Sequence, residues 1–109
     1  MISNDKQSCM DHIGGSVKRS ANWRRQLQTK WPDQRNERAA VALDRLAYES
    51  SYMTDRDFAR LAPHYSWSSA IFADAVSETS RLVGYRGVDS FPDFMNALAR
   101  ILNRSGVAA

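Results

Sequence analysis

SWSSAIFADAVSETSRLVGYRGVDSFPDFMNALARIL, residues 66–102, decides the fold. In its first half Phe72, Ala75, Val76, Thr79, Leu82 and Val83 recur at three- and four-residue spacing. Such a spacing lines one side of an α-helix. Ile71 widens the stripe and Trp67 begins it, while Asp74, Ser77, Glu78 and Arg81 fall on the other side. Ser66 is the expected N-cap. Gly84 stands where a helix end needs left-handed backbone, and Gly87 permits a second turn. Asp89 or Ser90 then opens another helix, with Pro92 allowed in the first turn and Asp93 suited to the positive end of the dipole. Phe91, Phe94, Leu98, Ile101 and Leu102 form its apolar face, with Met95 and Ala97 beside them. The stretch therefore reads as two amphipathic helices joined by a glycine-punctuated turn, a hairpin for the rest of the chain to pack on.

Upstream, Thr54 and Asp57 have the spacing of a capping box, with Asp in place of the preferred Glu. They open a short helix whose Phe58, Leu61 and Ala62 face inward and which Pro63 stops. Asp33 caps a longer helix running to about Ser50, with Ala39, Leu43, Leu46 and Ala47 on its apolar face. Before it, a helix from Ser20 or Asn22 is ended by Pro32, because the residue before a proline is pushed out of the α region. Trp23, Leu27 and Trp31 fall on one side of that helix and read as core anchors, since indole rings bury a large area. Residues 1–19 are polar and carry Gly14-Gly15; they read as a flexible N-terminal arm. The expected organisation is that arm followed by a single helical domain, residues 20–109. The fold class is all-α, a small bundle of four main helices plus one short helix.

Composition agrees. The chain has 109 residues, 43% of them hydrophobic and 25% charged, the balance of an ordinary globular domain. Valine and isoleucine are few, and apolar–polar alternation never persists, which argues against a sheet. One cysteine, Cys9, rules out an internal disulfide and a cysteine-rich zinc site. No apolar run reaches membrane-spanning length, and Asp5, Lys6 and Asp11 interrupt any signal-peptide core. A soluble, cytoplasmic protein with no membrane contact is the expectation.

No catalytic or cofactor constellation emerges. Cys9 and His12 have the spacing of half a metal site, but His64 is the one other histidine. His64 and Ser66 are near one another in sequence without a nucleophile elbow or an orienting acid. Gly14-Gly15 and Gly84-x-x-Gly87 are neither a phosphate loop nor a dinucleotide fingerprint. We therefore expect no enzyme, no metal, no cofactor and no small-molecule substrate.

Two binding surfaces remain as expectations. The first is for another protein or a second copy of this chain. The Gly84–Gly87 turn sets Tyr85 and Arg86 on a corner, and aromatic–arginine pairs are enriched at interface hot spots. The wide apolar face of the last helix, including Phe91 and Met95, exceeds what a small bundle needs, so an uncovered edge is expected there. This leads to a small regulatory or adaptor protein acting through protein contacts, alone or as a homodimer. The alternative is nucleic acid. Lys18–Arg38 holds seven bases against Asp33 and Glu37, a local charge of +5 in a chain of net +3. Arg19, Arg24, Arg25, Lys30, Arg35 and Arg38 are the residues for phosphate contact. Residues 54–83 have the outline of a helix-turn-helix, but the second helix opens on serines and lacks the long polar side chains that read base edges.

Overall fold

The computed structural model describes residues 2–105. Met1 and residues 106–109 lie outside the described residues. Five α-helices follow one another: α1 (Ile2–Lys30), α2 (Gln34–Ser50), α3 (Asp55–Leu61), α4 (Ala70–Arg81) and α5 (Phe91–Ser105). A 3-10 turn, Ala62–His64, extends α3 past Pro63. Among the described residues there is no strand, so the all-α class with four longer helices and one short one stands.

The largest correction concerns the expected arm. Residues 2–19 are not an arm but the first two-thirds of α1, whose 29 residues make a rod about 43 Å long. That rod sets the 44 Å long axis of the molecule. Cys9, Ile13, Val17 and Ala21, four residues apart, are all buried in the core. Gly14 and Gly15 do not break the helix. A mid-helix glycine costs about 1 kcal/mol relative to alanine, whereas burying Ile13 and Val17 contributes about 1.5–3 kcal/mol each. Gly14 also serves the packing, because a Cβ there would lie 3.1 Å from Ser50 Oγ of α2. The missing side chain lets α1 and α2 run close together, and this pair forms the most extensive helix contact in the fold.

The second correction follows from the first. With the buried face of α1 fixed by Cys9, Ile13, Val17 and Ala21, Trp23 is rotated about 200° from Ala21. It therefore points to solvent, 52% exposed, and Trp31 is 65% exposed. Neither is a core anchor. The inward position on that turn is taken instead by Arg24, which is 4% exposed.

Elsewhere most local signals agree with the structure, with Ala62 and the cap of α4 as exceptions. Asp33 accepts from the Arg35 N–H and caps α2, which ends at Ser50. Thr54 and Asp57 form the capping box at α3. Ala62 is exposed rather than inward-facing. The cap of α4 is Ser69, not Ser66: its hydroxyl accepts from the Phe72 N–H, and the helix starts three residues later than expected. Ser90 accepts from the Asp93 N–H and donates to the Asp93 carboxylate at the start of α5. Gly84 has φ +85° and its missing Cβ would stand 2.9 Å from that of Ala39, so the turn after α4 packs directly on α2.

Helix α5 is the central apolar element. Phe94, Met95, Ala97, Leu98, Ala99, Ile101 and Leu102 are buried, covered by α4, α2 and α3. The expected uncovered edge of this helix is absent.

Candidate binding surface

The expected protein-contact residues divide. Tyr85 is half exposed and Arg86 exposed on the turn after α4. Phe91 is half-buried against the core, and Met95, at 1% exposure, belongs to the core itself. Met95 is thus withdrawn from any surface: it lies on the side of α5 that the rest of the bundle covers.

The basic residues divide further. Arg24 is no phosphate contact. Its guanidinium donates to Tyr85 Oη at 2.9 Å, to Asn36 Oδ1 at 3.3 Å and to the Arg81 carbonyl at 3.4 Å. Those acceptors are neutral, yet the buried charge is compensated. Arg81 is the last residue of α4, where the helix dipole is negative. The Tyr85 ring stands 4.6 Å from the guanidinium, within cation–π range. Arg24 therefore ties α1 to α2, α4 and the turn beyond it. Arg35 approaches the same tyrosine ring at 5.8 Å and Asp33 at 3.8 Å. Arg25 and Lys18 both pair with Asp44 of α2 on another side of α1. Arg38 lies in a separate shallow depression with Glu37, Arg45 and Asp89. The six bases do not converge on one broad face.

What does converge is a narrower stripe. Ser16, Arg19, Ser20 and Trp23 of α1 face Ser77 and Arg81 of α4 across a trough of about 350 Å³. Trp23 is also one wall of a second trough of about 350 Å³, whose other members are Gln26, Leu27, Thr29, Lys30 and Trp31. The Lys30 ammonium lies 6.0 Å from the Trp31 ring. Arg19 and Lys30 are thus the two expected phosphate contacts that share a surface, with two open indoles beside them. Ser16, Ser20, Ser77 and Arg81 escaped sequence reasoning. The first two share a helix stripe with Arg19 and Trp23, a spacing hidden by assigning residues 1–19 to an arm.

The other chemistry-bearing side chains have structural partners. Cys9 is fully buried, and burial pushes its thiol up to about 12, far from the thiolate that nucleophilic or metal chemistry needs. His12 stands edge-on to Phe72 at 5.4 Å and to Tyr65 at 6.4 Å. His64 Nε2 lies 3.2 Å from Asn103 Oδ1 and pins the 3-10 turn to α5. Among the described residues no three His, Cys, Asp or Glu side chains gather as metal ligands, and no helix is long and apolar enough to cross a membrane.

Comparison with protein-family models, with curated proteins and with solved structures returns no match.

Proposed function

We propose that this protein is a non-enzymatic binding protein that holds single-stranded nucleic acid along the solvent face of the second half of α1. The observation that carries the reading is the exposure of Trp23 and Trp31 on either side of Lys30. An indole left in water forgoes the burial that makes it valuable to a core, and two of them beside cations form a stacking platform next to phosphate-binding charge. Base–aromatic stacking contributes about 1–3 kcal/mol per base and tolerates any sequence. A single strand suits this surface better than a duplex. Duplex bases are hidden from the rings, and the bases that would broaden the charged face are tied to Asp44, buried, or set apart. From Ser16 to Trp31 the stripe runs about 22 Å, long enough for a short segment of strand. The cytoplasm is the location this reading implies.

Quenching of tryptophan fluorescence tests it, in a Trp67→Phe background that leaves Trp23 and Trp31 as the reporters. Oligo-dT is expected to bind at low salt, with affinity falling by a slope of about 0.7 per phosphate neutralised as salt rises. Trp23→Ala and Trp31→Ala should each weaken binding by about 5- to 150-fold, and a duplex of equal length should bind less tightly. No binding of any single strand at low salt overturns the reading.

A second reading, an adaptor that contacts another protein or its own copy, draws on the exposed Tyr85–Arg86 corner. Half of the tyrosine ring is free, and its hydroxyl and face are held rigid by Arg24. Light scattering at high concentration tests the homodimer, and Arg86→Ala should disperse it.

A further inference from the structure

In the trough between α1 and α4 the polar side chains are without partners among the described residues, as are bases elsewhere on the surface such as Arg86 and Arg100. The trough is lined by Ser16, Arg19, Ser20, Trp23, Ser77 and Arg81, with no acidic side chain among them. Five other cations of the molecule, Lys6, Lys18, Arg25, Arg35 and Arg104, each have a carboxylate within reach. Arg19 and Arg81 have none among the described residues. The serines behave in the same way. On α4, Thr79 and Ser80 turn their hydroxyls back to the Ala75 and Val76 carbonyls, at 2.7 and 2.9 Å, the ordinary fate of a hydroxyl inside a helix. Ser77 makes no such bond, nor do Ser16 and Ser20 among the described residues. Two unpaired guanidinia and three uncommitted hydroxyls therefore meet in one concavity.

We propose that this trough is a site for a terminal phosphate, a phosphate monoester at the end of a nucleic-acid strand whose adjoining base rests on Trp23. The charge count selects the monoester. A terminal phosphate carries about −1.5 to −2 at neutral pH, matching two guanidinia, whereas an internal phosphodiester carries a single charge. Its three terminal oxygens are strong acceptors and use the fork of an arginine together with serine hydroxyls. The volume, about 350 Å³, exceeds what a bare phosphate fills and leaves room for an attached sugar. Trp23, shared by both troughs, joins this site to the stacking platform. The inference rests on the single-strand reading for its macromolecular source, but the same chemistry would also hold a free phosphate monoester.

The test compares strands of identical sequence ending in hydroxyl, in 5′-phosphate or in 3′-phosphate, alongside inorganic phosphate and a mononucleotide. One phosphorylated end is expected to bind about tenfold more tightly than the hydroxyl-ended strand, the size of one charge-assisted contact. Arg81→Gln, with Ser77→Ala as a milder variant, should erase that preference, so that the phosphorylated and hydroxyl-ended strands bind each variant within about twofold of one another. Circular dichroism confirms that both variants fold, and Ser77→Ala keeps the test alive if Arg81→Gln does not. Equal affinity for all three strands overturns the terminal-phosphate site and leaves the single-strand reading standing. Binding of mononucleotide and phosphate, lost in Arg81→Gln, with no binding of any strand, keeps the phosphate site and overturns the strand reading. Absence of binding in every arm overturns both.

Discussion

The two halves of α1 use side-chain size in opposite ways. The first half meets the bundle with Cys9, Ile13, Gly14 and, at its end, Val17, small or medium residues that are buried or tightly packed, and Ala21 carries the buried line one turn further. The second half carries two of the three tryptophans in the chain and leaves both in water. Packing of a helix against its neighbours is decided by angular position, not by how apolar a residue is. A glycine on the contact side brings two helix axes together, and an indole on the far side contributes little to folding. The first half is therefore structural and the second half carries surface not used up by the fold. On that second half the inward position belongs to Arg24, whose charge is held by the end of α4 and the Tyr85 ring rather than by an acid.

The sharpest way to break this contrast is to remove residues 1–19. Were they an arm, the chain from Ser20 onward would melt as the full chain does. Because Cys9, Ile13 and Val17 go with them and their partners in α2 and α4 are laid bare, the loss is comparable to the whole stability of a small domain, about 5–15 kcal/mol. We expect no cooperative thermal transition by far-UV circular dichroism in the shortened chain.

Single substitutions in the two halves should differ by nearly as clear a margin. Ile13→Ala removes a buried side chain and should cost about 2–5 kcal/mol in urea unfolding. Trp31→Ala removes a much larger but exposed one and should cost under about 0.5 kcal/mol. Equal losses at both positions would mean that Trp31 packs after all, and the stacking platform would go with it.

Arg24 sits where the two halves meet. Arg24→Ala leaves Tyr85 Oη, Asn36 and the α4 carbonyl without their donor, at a cost of about 1.5–3 kcal/mol. Arg24→Lys should recover little of it, since a single ammonium cannot reach three acceptors and face the ring as the guanidinium does. A double-mutant cycle with Tyr85→Phe should be non-additive, because the two side chains touch. A loss of nucleic-acid affinity with unchanged stability would instead return Arg24 to the surface role that its sequence neighbourhood suggests.

Which parts of this were readable in advance follows from where the signals reside. The caps of α2, α3 and α5 and the left-handed Gly84 are local: each is set by a few adjacent residues and came out as expected. The first half of α1 was not. Its buried residues are small, separated by polar ones, and interrupted by two glycines that ordinarily mark a break. Cys9, Ile13, Val17 and Ala21 do repeat every fourth residue, but the repeat becomes decisive only once α2 is there to pack on it. Without that repeat the phase of the helix follows Trp23, Leu27 and Trp31, which puts the two indoles inside and Arg24 outside. The trough serines depend on tertiary structure even more. Nothing in the sequence distinguishes Ser77, whose hydroxyl is uncommitted, from Ser80, whose hydroxyl is bonded back to its own helix.

The smallest expected effect lies on the buried half and depends on pH. Burial lowers the affinity of His12 for a proton, and the charge of Arg19 lowers it further. Tyr65 and Phe72, which face the imidazole from the other elements, offer no negative charge to reverse this. Unfolded, His12 takes up its proton at the ordinary value of 6.5, whereas folded it does so at lower pH. Between those two values the unfolded chain binds more protons, so stability rises with pH through that window. The contribution is fully present above 6.5 and is lost as pH falls below it. Urea midpoints measured at about pH 8 and about pH 5 contain this loss together with that of the carboxylates. Comparison with His12→Gln isolates it, since the variant should show a shallower decline. Arg19→Gln should recover only the lesser part, because burial is the larger cause. A variant at Arg19 that recovered most of the decline would place that guanidinium against the imidazole, and so away from the trough where it is available to a phosphate.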